Sequence, residues 1–558
     1  MNKTTGILLC ILLLSTALRF YRLGQIPEGF HADEAAFGYN AYSILKTGKD
    51  EYGELLPIIM KSFGDYKGTL YSYLSIPFIY MFGLTEFATR LPSALSGVLL
   101  VLLTFLFIQD LTKRDNLSLL AAGLSALMPM TILVSRESEP ALLASDFVIL
   151  GLIAILKWKN NGKLIWFFTA MISLSVSMVT YYIPRLFVPI IIPLLWYFKR
   201  NTWKGRWLIY LVVLYIFMII SVGYLTLNSS GARLGQVNIF TTDRVMLPLQ
   251  EKFREDGVQQ IGAKTARLFH NKISEYGRYL MHNYMQYFSF DYLFYEAGQP
   301  RREVIPSVGI LYLIDLPFLL YGIYTVFHKR YRWGYFIISW LLITPALLSF
   351  ASDETPNIHR YIINALPLSA LIATGITEFS QGMRKVLGVK FILIGIGVFY
   401  VINFSFFTEE FFVHQPVHFP FYRGFAYKQL VTEIPKYYNS YSKIIVTKGN
   451  ESPYIYFLFF SAYDPLKYQA SGSHRDLDYQ GFDKYVFVPY DCPSFNQSKD
   501  YNMISDKLHI LLIRRGGCVL GVNDRLLETV SWRGGSEAFQ IVNYQATPSS
   551  VLKTDSSL

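Results

Sequence analysis

The segment Phe30-His31-Ala32-Asp33-Glu34-Ala35-Ala36 stands shortly after the first apolar run of the sequence, which extends from Gly6 to Leu14. A chain that enters a membrane with that run would first emerge on the far side near this segment. A simple membrane anchor does not need two adjacent carboxylates, Asp33 and Glu34, with a histidine two residues earlier. The function of the pair therefore has to be inferred from the residues that lie on the same side of the membrane.

The composition is that of a membrane protein. Hydrophobic residues make up 52% of the 558 residues and charged residues make up 16%, against about 25% charged residues in typical soluble domains. Apolar runs of nearly membrane-spanning length recur along the sequence, which predicts a polytopic α-helical protein of the cell membrane. The net charge is +11, but the basic residues lie in short loops between apolar runs, as topology-setting charges do. We therefore expect the lipid bilayer, and no nucleic acid, as a partner.

The basic loops also predict which ends of the helices face the cytoplasm. The apolar stretch from Leu70 to Phe82 is short and contains Pro77. If this stretch is a juxtamembrane or re-entrant hairpin, Lys113-Arg114 and every later basic loop lie on the cytoplasmic side. This arrangement gives about 11 transmembrane helices, with the N-terminus in the cytoplasm and the C-terminus outside the cell.

Two domains are predicted, a membrane domain in residues 1–409 and a small α/β domain outside the membrane in residues 410–558. The membrane domain contains a first outer loop with juxtamembrane helices, residues 20–90, and an outer amphipathic segment, residues 228–302. The second domain is indicated by short β-like runs around a helix from Ser452 to Ala462. These runs are Lys443 to Thr447, Tyr485 to Pro489 and Leu508 to Ile513.

The chain has three cysteines, Cys10, Cys492 and Cys518. The first lies inside an apolar run. The other two would pair if their domain faces an oxidising compartment, and free thiols are the alternative. No cysteine spacing indicates a metal site.

The predicted topology gathers ionisable and aromatic residues at the outer ends of the helices. Such residues cost free energy when they point into lipid, so they usually face one another or a water-filled cavity. Arginine suits phosphate because its planar fork donates two parallel hydrogen bonds. The sequence therefore predicts an anionic ligand beside an acid/base site. The residues on this side are Asp33, Glu34, Asp65, Arg90, Arg136, Glu137, Glu139, Tyr182, Asp353, Glu354, His359 and Arg360.

A family resemblance runs through the same residues. The stretch from Pro27 to Gly48, with Asp33-Glu34-Ala35, resembles the first outer loop of the protein O-mannosyltransferase and aminoarabinose-transferase group, and so does Arg90-Leu91-Pro92-Ser93-Ala94-Leu95. These proteins are GT-C fold glycosyltransferases that use polyprenyl-phosphate sugars. The resemblance extends from residue 7 to about residue 200.

The resemblance implies a hexosyl- or pentosyltransferase that moves a sugar, with inversion, from a polyprenyl-phosphate donor to a protein, glycan or lipid. By the same resemblance, Asp33 would be the general base, Glu34 its orienting neighbour, and Arg90 a ligand of the donor phosphate. The predicted topology adds Arg136 and Arg360 as phosphate ligands. The predicted auxiliary residues are His31, Asp65, Glu139, Tyr182 and His359. Some relatives have an aspartate where this chain has Glu137 and Glu139, which leaves the second acidic role open.

Other interpretations stay open at this point. Asp33 and Glu34 could cap a helix that begins at Ala35, and Arg90 could be an interfacial arginine whose side chain reaches toward water. The sequence indicates no particular cofactor, and His359 with a carboxylate could hold a divalent metal ion. The rival class is a flippase or transporter of lipid-linked sugars, for which Asp146 and Asp315 would be the intramembrane acids.

Overall fold

The computed structural model describes residues 2–63, 65–199, 206–225, 239–241, 243–385, 388–418, 420–448, 452–471, 481–494 and 509–544. The chain divides into two compact units. The helical unit comprises Met1–Tyr21, Asp65–Tyr71 and Leu91–Gln415. The mixed unit comprises Arg22–Gly64, Ser72–Arg90 and Pro416–Leu558. The predicted domains, 1–409 and 410–558, differ from these units chiefly because the first outer loop belongs to the unit formed by the C-terminal residues.

Helices make up most of the described part of the helical unit, and two of them, α3 and α4, have residues in both units. The helices from the N-terminus to the end of the helical unit are Lys3–Phe20 (α1), Ala32–Thr47 (α2), Leu70–Phe82 (α3), Glu86–Thr112 (α4), Asp115–Leu127 (α5), Pro129–Val134 (α6), Pro140–Asn161 (α7), Leu164–Thr180 (α8), Ile183–Lys199 (α9), Arg206–Leu225 (α10), Asp243–Val258 (α11), Ala263–Phe269 (α12), Lys272–Gln286 (α13), Asp315–His328 (α14), Arg332–Leu348 (α15), Ile358–Tyr361 (α16), Ala365–Gly382 (α17) and Val389–Glu409 (α18).

Among the described residues, five helical stretches are long and apolar enough to cross a membrane. They are Lys3–Phe20, Glu86–Thr112, Pro140–Asn161, Ile358–Gly382 and Val389–His414. These helices agree with a multi-pass membrane protein, while the count of 11 spans stays a prediction. One of the 11 spans was expected over residues 117–134. This stretch is interrupted at Pro129, where α5 has ended and α6 begins, because proline has no N–H for the helix to continue.

Two glycines allow close packing within the helical unit. A Cβ added at Gly322 of α14 would lie 2.0 Å from the backbone oxygen of Leu371, and one added at Gly375 of α17 would lie 1.9 Å from that of Phe318. Apolar side chains gain nothing from leaving lipid, so membrane helices associate through such close backbone contacts between small residues. This contact holds α17, and with it the segment before α17, against α14.

The two predicted intramembrane acids both make hydrogen bonds inside the helical unit. Asp146 is buried and accepts a 2.5 Å hydrogen bond from Ser96. Asp315 is buried at the start of α14, where it accepts hydrogen bonds from the backbone N–H of Tyr312, at 2.9 Å, and from the hydroxyl of Tyr400. Asp315 thus ties the first turn of its helix to the turn that precedes it, while the N-cap position is occupied by Ile314.

The predicted amphipathic segment, residues 228–302, contains helices α11, α12 and α13. Residues 226–238 and 242 lie outside the described part of the chain. Helix α11 and helix α13 are joined by an ion pair between Lys252 and Glu275, with 2.7 Å between Nζ and Oε2. Asn271 caps α13 by accepting a hydrogen bond from the N–H of Ser274 at 2.9 Å.

The mixed unit contains a six-stranded sheet with the strand order β4-β5-β3-β6-β8-β7. Strand β3 pairs in parallel with β5 and β6, and the outer pairings are antiparallel. The helices of the C-terminal part are Phe425–Glu433 (α19), Pro435–Tyr438 (α20), Tyr454–Phe460 (α21) and Pro465–Ala470 (α22). The strands in the described part of the chain are Ile59–Ser62 (β1), Asp65–Gly68 (β2), Lys443–Thr447 (β3), Gly481–Phe482 (β4), Tyr485–Val488 (β5), Ile510–Arg515 (β6), Asp524–Ser531 (β7) and Glu537–Tyr544 (β8).

The three β-like runs and the helix between them occur within one or two residues of where the sequence places them, except that Leu508 lies outside the described residues. Strands β7 and β8 were not predicted. Cys492 and Cys518 form a disulfide with 5.7 Å between their Cα atoms, which resolves the alternative that the sequence left open. Cys10 is a free, exposed cysteine.

Helix α2, which carries Asp33 and Glu34, belongs to the core of the mixed unit. The ring of Phe30, just before the helix, lies 4.7 Å from that of Phe459. The hydroxyl of Tyr39 donates to the backbone oxygen of Tyr463 at 3.0 Å. Gln469 donates to Ser43 at 3.0 Å. The C-terminal residues therefore hold the helix of the acidic pair in place.

Candidate active site

The acidic pair lies in the first turn of helix α2. His31 is the N-cap residue, and its Nδ1 accepts a 3.3 Å hydrogen bond from the N–H of Asp33. The backbone N–H of His31 in turn donates to Oε2 of Glu34 at 3.2 Å. This reciprocal arrangement is a capping box, which satisfies two N–H groups that a helix start leaves without a partner. The helix begins at Ala32, three residues before the start that the capping alternative gave, and His31 and Glu34 are the capping residues. That alternative is therefore correct for Glu34 and wrong for Asp33.

Arg90 fixes Glu34 from the other side. The Arg90 side chain is fully buried, and each of its five N–H donors has an acceptor. Nε donates to Glu34 Oε1 at 2.9 Å, NH2 donates to Glu34 Oε2 at 3.0 Å and to Gly29 O at 2.7 Å, and NH1 donates to Leu23 O at 3.2 Å and to Pro27 O at 3.0 Å. Arg90 thus ties the loop before α2 to the first turn of the helix.

This geometry bears on the predicted role of Arg90 as a ligand of the donor phosphate. A phosphate could bind the guanidinium only by displacing the Glu34 carboxylate or a backbone oxygen. Removing one partner of a buried ion pair costs about 3 to 5 kcal/mol. In this arrangement Arg90 is a positioning residue, and phosphate binding by Arg90 stays a prediction.

The two carboxylates of the pair have different surroundings. The Glu34 side chain is 5% exposed and the Asp33 side chain is 40% exposed. Burial alone would raise the pKa of Glu34, but the charge and hydrogen bonds of Arg90 and the charge of Arg423 hold that pKa below its usual value. Glu34 is therefore an ionised carboxylate with a structural role, and Asp33 is the carboxylate of the pair that solvent and a ligand can reach.

Arg423 contributes to the surroundings of Glu34 through its charge and to the loop before α2 through its backbone oxygen. The sequence analysis did not predict this residue. The N–H of Phe30 donates to the backbone oxygen of Arg423 at 2.8 Å. Gly29 has a φ of 84°, and a Cβ there would lie 2.5 Å from that of Arg423, so this crossing requires glycine. No local signal points to Arg423, because it lies almost 400 residues further along the chain.

An open cavity of about 280 Å³ adjoins the same loop of the mixed unit. Its lining includes Glu28, Gly29 and Phe30 from the loop, together with Glu86 and Lys428, which form a 2.6 Å ion pair. A cavity of this size is at the lower end for small-molecule sites. It gives the loop before α2 a concave surface that combines an aromatic ring with charges of both signs.

The helical unit holds a second group of ionisable residues around His359. Its Nδ1 lies 2.6 Å from Glu139 Oε2, and its Nε2 lies 3.0 Å from Glu303 Oε1 and 3.8 Å from Glu137 Oε2. All four side chains are buried or nearly so, with 14% exposure at most. The sequence predicted His359 and Glu139 and named Glu137 as an alternative. It missed Glu303. This residue follows Arg301-Arg302 and stands just before an apolar run, so the sequence signal that singled out Glu137, Glu139 and His359, a charged residue at the end of an apolar run, also applies to Glu303.

Capping interactions fix two members of this group. Glu139 is the N-cap of α7, and its Oε1 accepts from the N–H of Ala141 at 2.9 Å, while Pro140 takes the first helical position. Asn357 caps the short helix α16 by accepting from the N–H of Arg360 at 3.0 Å, which sets the direction of His359 one residue earlier. Helix starts thus supply the rigid backbone that a precise site needs.

The other two predicted phosphate ligands are also buried arginines of the helical unit. Arg136 donates to the backbone oxygens of Leu18 at 2.6 Å and of Tyr21 at 2.7 Å. Arg360 forms a bidentate pair with Asp353, with 3.0 Å between the atoms of each contact, and lies 5.9 Å from the centre of the Tyr182 ring. Their binding of a donor phosphate stays a prediction.

The predicted site residues thus fall into two groups. His31, Asp33, Glu34 and Arg90 lie together in the mixed unit, and Glu139, Tyr182, His359 and Arg360 lie in the helical unit, which also contains Arg136. Asp65 is the first residue of β2, and its side chain is outside what the structure describes.

The apolar helices define a class of protein, the multi-pass helical membrane proteins, and the fold is similar to that of known GT-C glycosyltransferases. The structure of ArnT from Cupriavidus metallidurans in the apo state aligns with 97% of this chain and 98% of its own, with a TM-score of 0.55 and 11% identity. The structure of the same protein bound to undecaprenyl phosphate aligns with 98% of each chain, with a TM-score of 0.51 and 11% identity. At this identity the likeness concerns the fold.

The sequence itself matches one family. Residues 9–228 match the family model of dolichyl-phosphate-mannose-protein mannosyltransferase. No curated protein sequence matches the chain. The matched part is less than half of the chain and includes Asp33, Glu34, Arg90 and Arg136. The resemblance seen in the first outer loop is therefore confirmed.

Proposed function

We propose that this protein is a membrane glycosyltransferase that transfers a hexose or pentose from a polyprenyl phosphate to a protein, glycan or lipid acceptor. The observation that carries the proposal is the contrast within the acidic pair. Glu34 is buried against Arg90, while Asp33 is 40% exposed on the same rigid helix turn. A general base has to be fixed in position and also accessible to its substrate. The family match over residues 9–228 supports the same class of reaction.

In the proposed reaction Asp33 accepts the proton of the acceptor's nucleophilic group. The acceptor atom bonds to the anomeric carbon of the sugar while the bond from that carbon to the phosphate oxygen breaks. The electron pair of the broken bond stays with the polyprenyl phosphate, and the configuration at the anomeric carbon inverts. General-base catalysis of this kind contributes about 10² to 10⁴ in rate. The leaving group is already an anion, so no general acid is needed.

We assign Arg90 a positioning role, because its five donors hold Glu34 and the preceding loop. Arg136 and Arg360 remain the proposed ligands of the donor phosphate, where positive charge would stabilise the negative charge that develops on the leaving oxygen. A phosphate would replace the carboxylate of Asp353 at Arg360, and that carboxylate is 36% exposed, whereas the Glu34 partner of Arg90 is 5% exposed. Replacement of either by lysine would keep the charge and remove the bidentate geometry. We also propose that Asp33 and the C-terminal residues face the outside of the cell, since the Cys492–Cys518 disulfide suits an oxidising compartment.

The test is transfer of radiolabelled sugar from a panel of polyprenyl-phosphate donors to cell-envelope acceptors by the purified protein in detergent. Asp33→Asn should lower the rate of transfer by at least about 100-fold and leave the unfolding temperature unchanged, because Asp33 is a partly exposed residue. Glu54→Gln is the control, since Glu54 is an exposed carboxylate of the same loop, and it should keep the wild-type rate.

Near-normal transfer by Asp33→Asn would overturn the assignment of the base. Movement of labelled lipid across reconstituted vesicles by the wild-type protein, without release of sugar from the lipid, would overturn the proposed class and favour the flippase.

A further inference from the structure

We propose that Glu137, Glu303 and His359 form a binding site for a divalent transition-metal cation, Zn²⁺ or Mn²⁺. Each residue offers one ligand atom, and these three atoms lie within 4.8 Å of one another. Imidazole nitrogen with carboxylate oxygen is a ligand set that suits both cations. The three residues come from three distant parts of the sequence, so the fold, and not a local motif, brings them together.

The distances fit a small cation. Two ligand atoms that each lie about 2.1 Å from a tetrahedral ion are about 3.4 Å apart. Nε2 of His359 lies 3.0 Å from Glu303 Oε1 and 3.8 Å from Glu137 Oε2, which brackets that separation. Shifts of a few tenths of an ångström in the two carboxylates would therefore be enough to receive the ion.

Glu139, the fourth residue of the group, contacts the other nitrogen of the His359 ring and also supports a metal site. Glu139 Oε2 lies 2.6 Å from Nδ1 of His359. Histidines that bind metals commonly have a carboxylate at the second ring nitrogen, which fixes the tautomer and orients the ring. With the proton on Nδ1, the lone pair of Nε2 faces Glu303 and Glu137, as a metal ligand requires.

Charge and burial also favour a cation at this place. The side chains of Glu137, Glu303 and His359 are between 4% and 8% exposed. Arg302 Nε lies 3.1 Å from Glu303 Oε1 and offsets part of the negative charge of the group. Three carboxylates brought this close together in a buried position still destabilise one another, and a divalent cation between them would offset that repulsion. The alternative is that His359 is a protonated imidazolium held by the same carboxylates, with no metal ion. Metal binding by the purified protein distinguishes the metal site from this alternative.

This inference does not depend on the proposed sugar transfer, because metal binding is measured without substrate. The experiment uses the full-length protein in detergent, freed of metal with a chelator, dialysed against Zn²⁺ or Mn²⁺ and analysed by mass spectrometry of the metal. We expect one equivalent of one of these ions in the wild-type protein. His359→Ala and Glu303→Gln should each weaken binding by at least about 10-fold, and so should Glu139→Gln, which acts through His359.

The chain offers a matched control in Glu409, Glu410 and His414, a second group of the same composition whose first and third residues are exposed. His414→Ala should leave the metal content unchanged. Co²⁺ loading gives a second readout, since tetrahedral Co²⁺ bound by the wild-type protein would absorb visible light and this band would be lost in Glu303→Gln, a variant that keeps the shape of the side chain.

Two results would overturn the inference: a wild-type protein that retains neither ion, which would favour the metal-free imidazolium, or His359→Ala and Glu303→Gln variants that retain the wild-type metal content. The Asp33→Asn variant should lose sugar transfer and keep its bound metal ion. A failure of the proposed metal site can therefore be distinguished from a failure of the proposed function.

Discussion

Among the single residues, the two adjacent carboxylates Asp33 and Glu34 differ in burial and in their contacts. Asp33 and Glu34 are equivalent in the sequence, but the fold buries one against Arg90 and leaves the other accessible. The physical cause lies in the helix start, where the side chain at the third helical position turns back toward the N-cap and its neighbour turns outward. Glu34 therefore has a structural role, and Asp33 is the carboxylate that we propose as the general base.

The ion pair between Glu34 and Arg90 predicts a pH dependence. The pKa of Glu34 is lowered in the folded state by Arg90, so its contribution to stability is present above the ordinary glutamate pKa of about 4.3 and is lost as the pH falls below that value toward the lowered pKa. Glu34→Gln should destabilise the mixed unit by about 3 to 5 kcal/mol at pH 7 and should reduce the loss of stability on acidification.

Hydrogen exchange of residues 30–40 as a function of pH measures this effect. Asp33→Asn is the comparison, because it changes the neighbouring carboxylate and leaves the Arg90 pair in place. Equal protection of the wild-type protein and Glu34→Gln at pH 7 would contradict the structural role of the pair.

At the scale of elements, helix α2 is part of the core that the C-terminal helices and strands build. A single buried cluster contains Phe30, Ala35 and Tyr39 from the first loop together with Tyr456 and Phe459 of helix α21. Gly38 lies at this contact, where an added Cβ would be 2.5 Å from the ring of Phe459 and 2.7 Å from Thr89 Oγ1. Packing against α21 therefore determines where Asp33 points.

The close contact at Gly38 makes a second prediction. Gly38→Ala should lower the stability of the mixed unit by about 1 to 3 kcal/mol, because Phe459 and Thr89 both have to move, despite the better helix propensity of alanine. The unfolding temperature and the rate of sugar transfer should both fall. Gly534→Ala is the control in the same unit, since a Cβ there meets nothing within 4 Å. A Gly38→Ala protein as stable as this control would contradict the packing described.

The sequence was informative about local elements and about one half of the site. Hydropathy and turn residues predict the apolar helices and strands β3, β5 and β6, since these patterns depend on neighbouring residues. The capping residues of α2 could also be read locally. The pairing of Glu34 with Arg90, the approach of Arg423 and the contact of Glu303 with His359 could not, because each depends on residues far apart in the chain.

At the scale of the whole molecule, the chain builds one unit largely from apolar helices and another from a first loop joined to a C-terminal sheet. The second unit contains the disulfide between Cys492 and Cys518, and the first contains the free cysteine Cys10. Cross-linking stabilises a unit chiefly by restricting its unfolded chain. The disulfide therefore stabilises the mixed unit, which also contains Asp33.

This arrangement predicts a cysteine count. Protein purified without reductant should take up one alkylating group after denaturation, on Cys10, and three after reduction. Joint replacement of Cys492 and Cys518 by serine should destabilise the mixed unit by about 2 to 4 kcal/mol, whereas Cys10→Ser should have no effect on stability. Three alkylated cysteines before reduction would show that the disulfide does not form in the cell.

The contact between Tyr39 and Tyr463 has a consequence for synthesis. The two residues are 424 positions apart, and at about 5 to 20 residues per second a ribosome needs about 20 to 85 s to make the chain between them. Throughout that interval helix α2 has left the ribosome without the surface on which it packs. A nascent or prematurely terminated chain would therefore carry Asp33 on an undocked helix, and the proposed transfer activity would begin only when translation is almost complete.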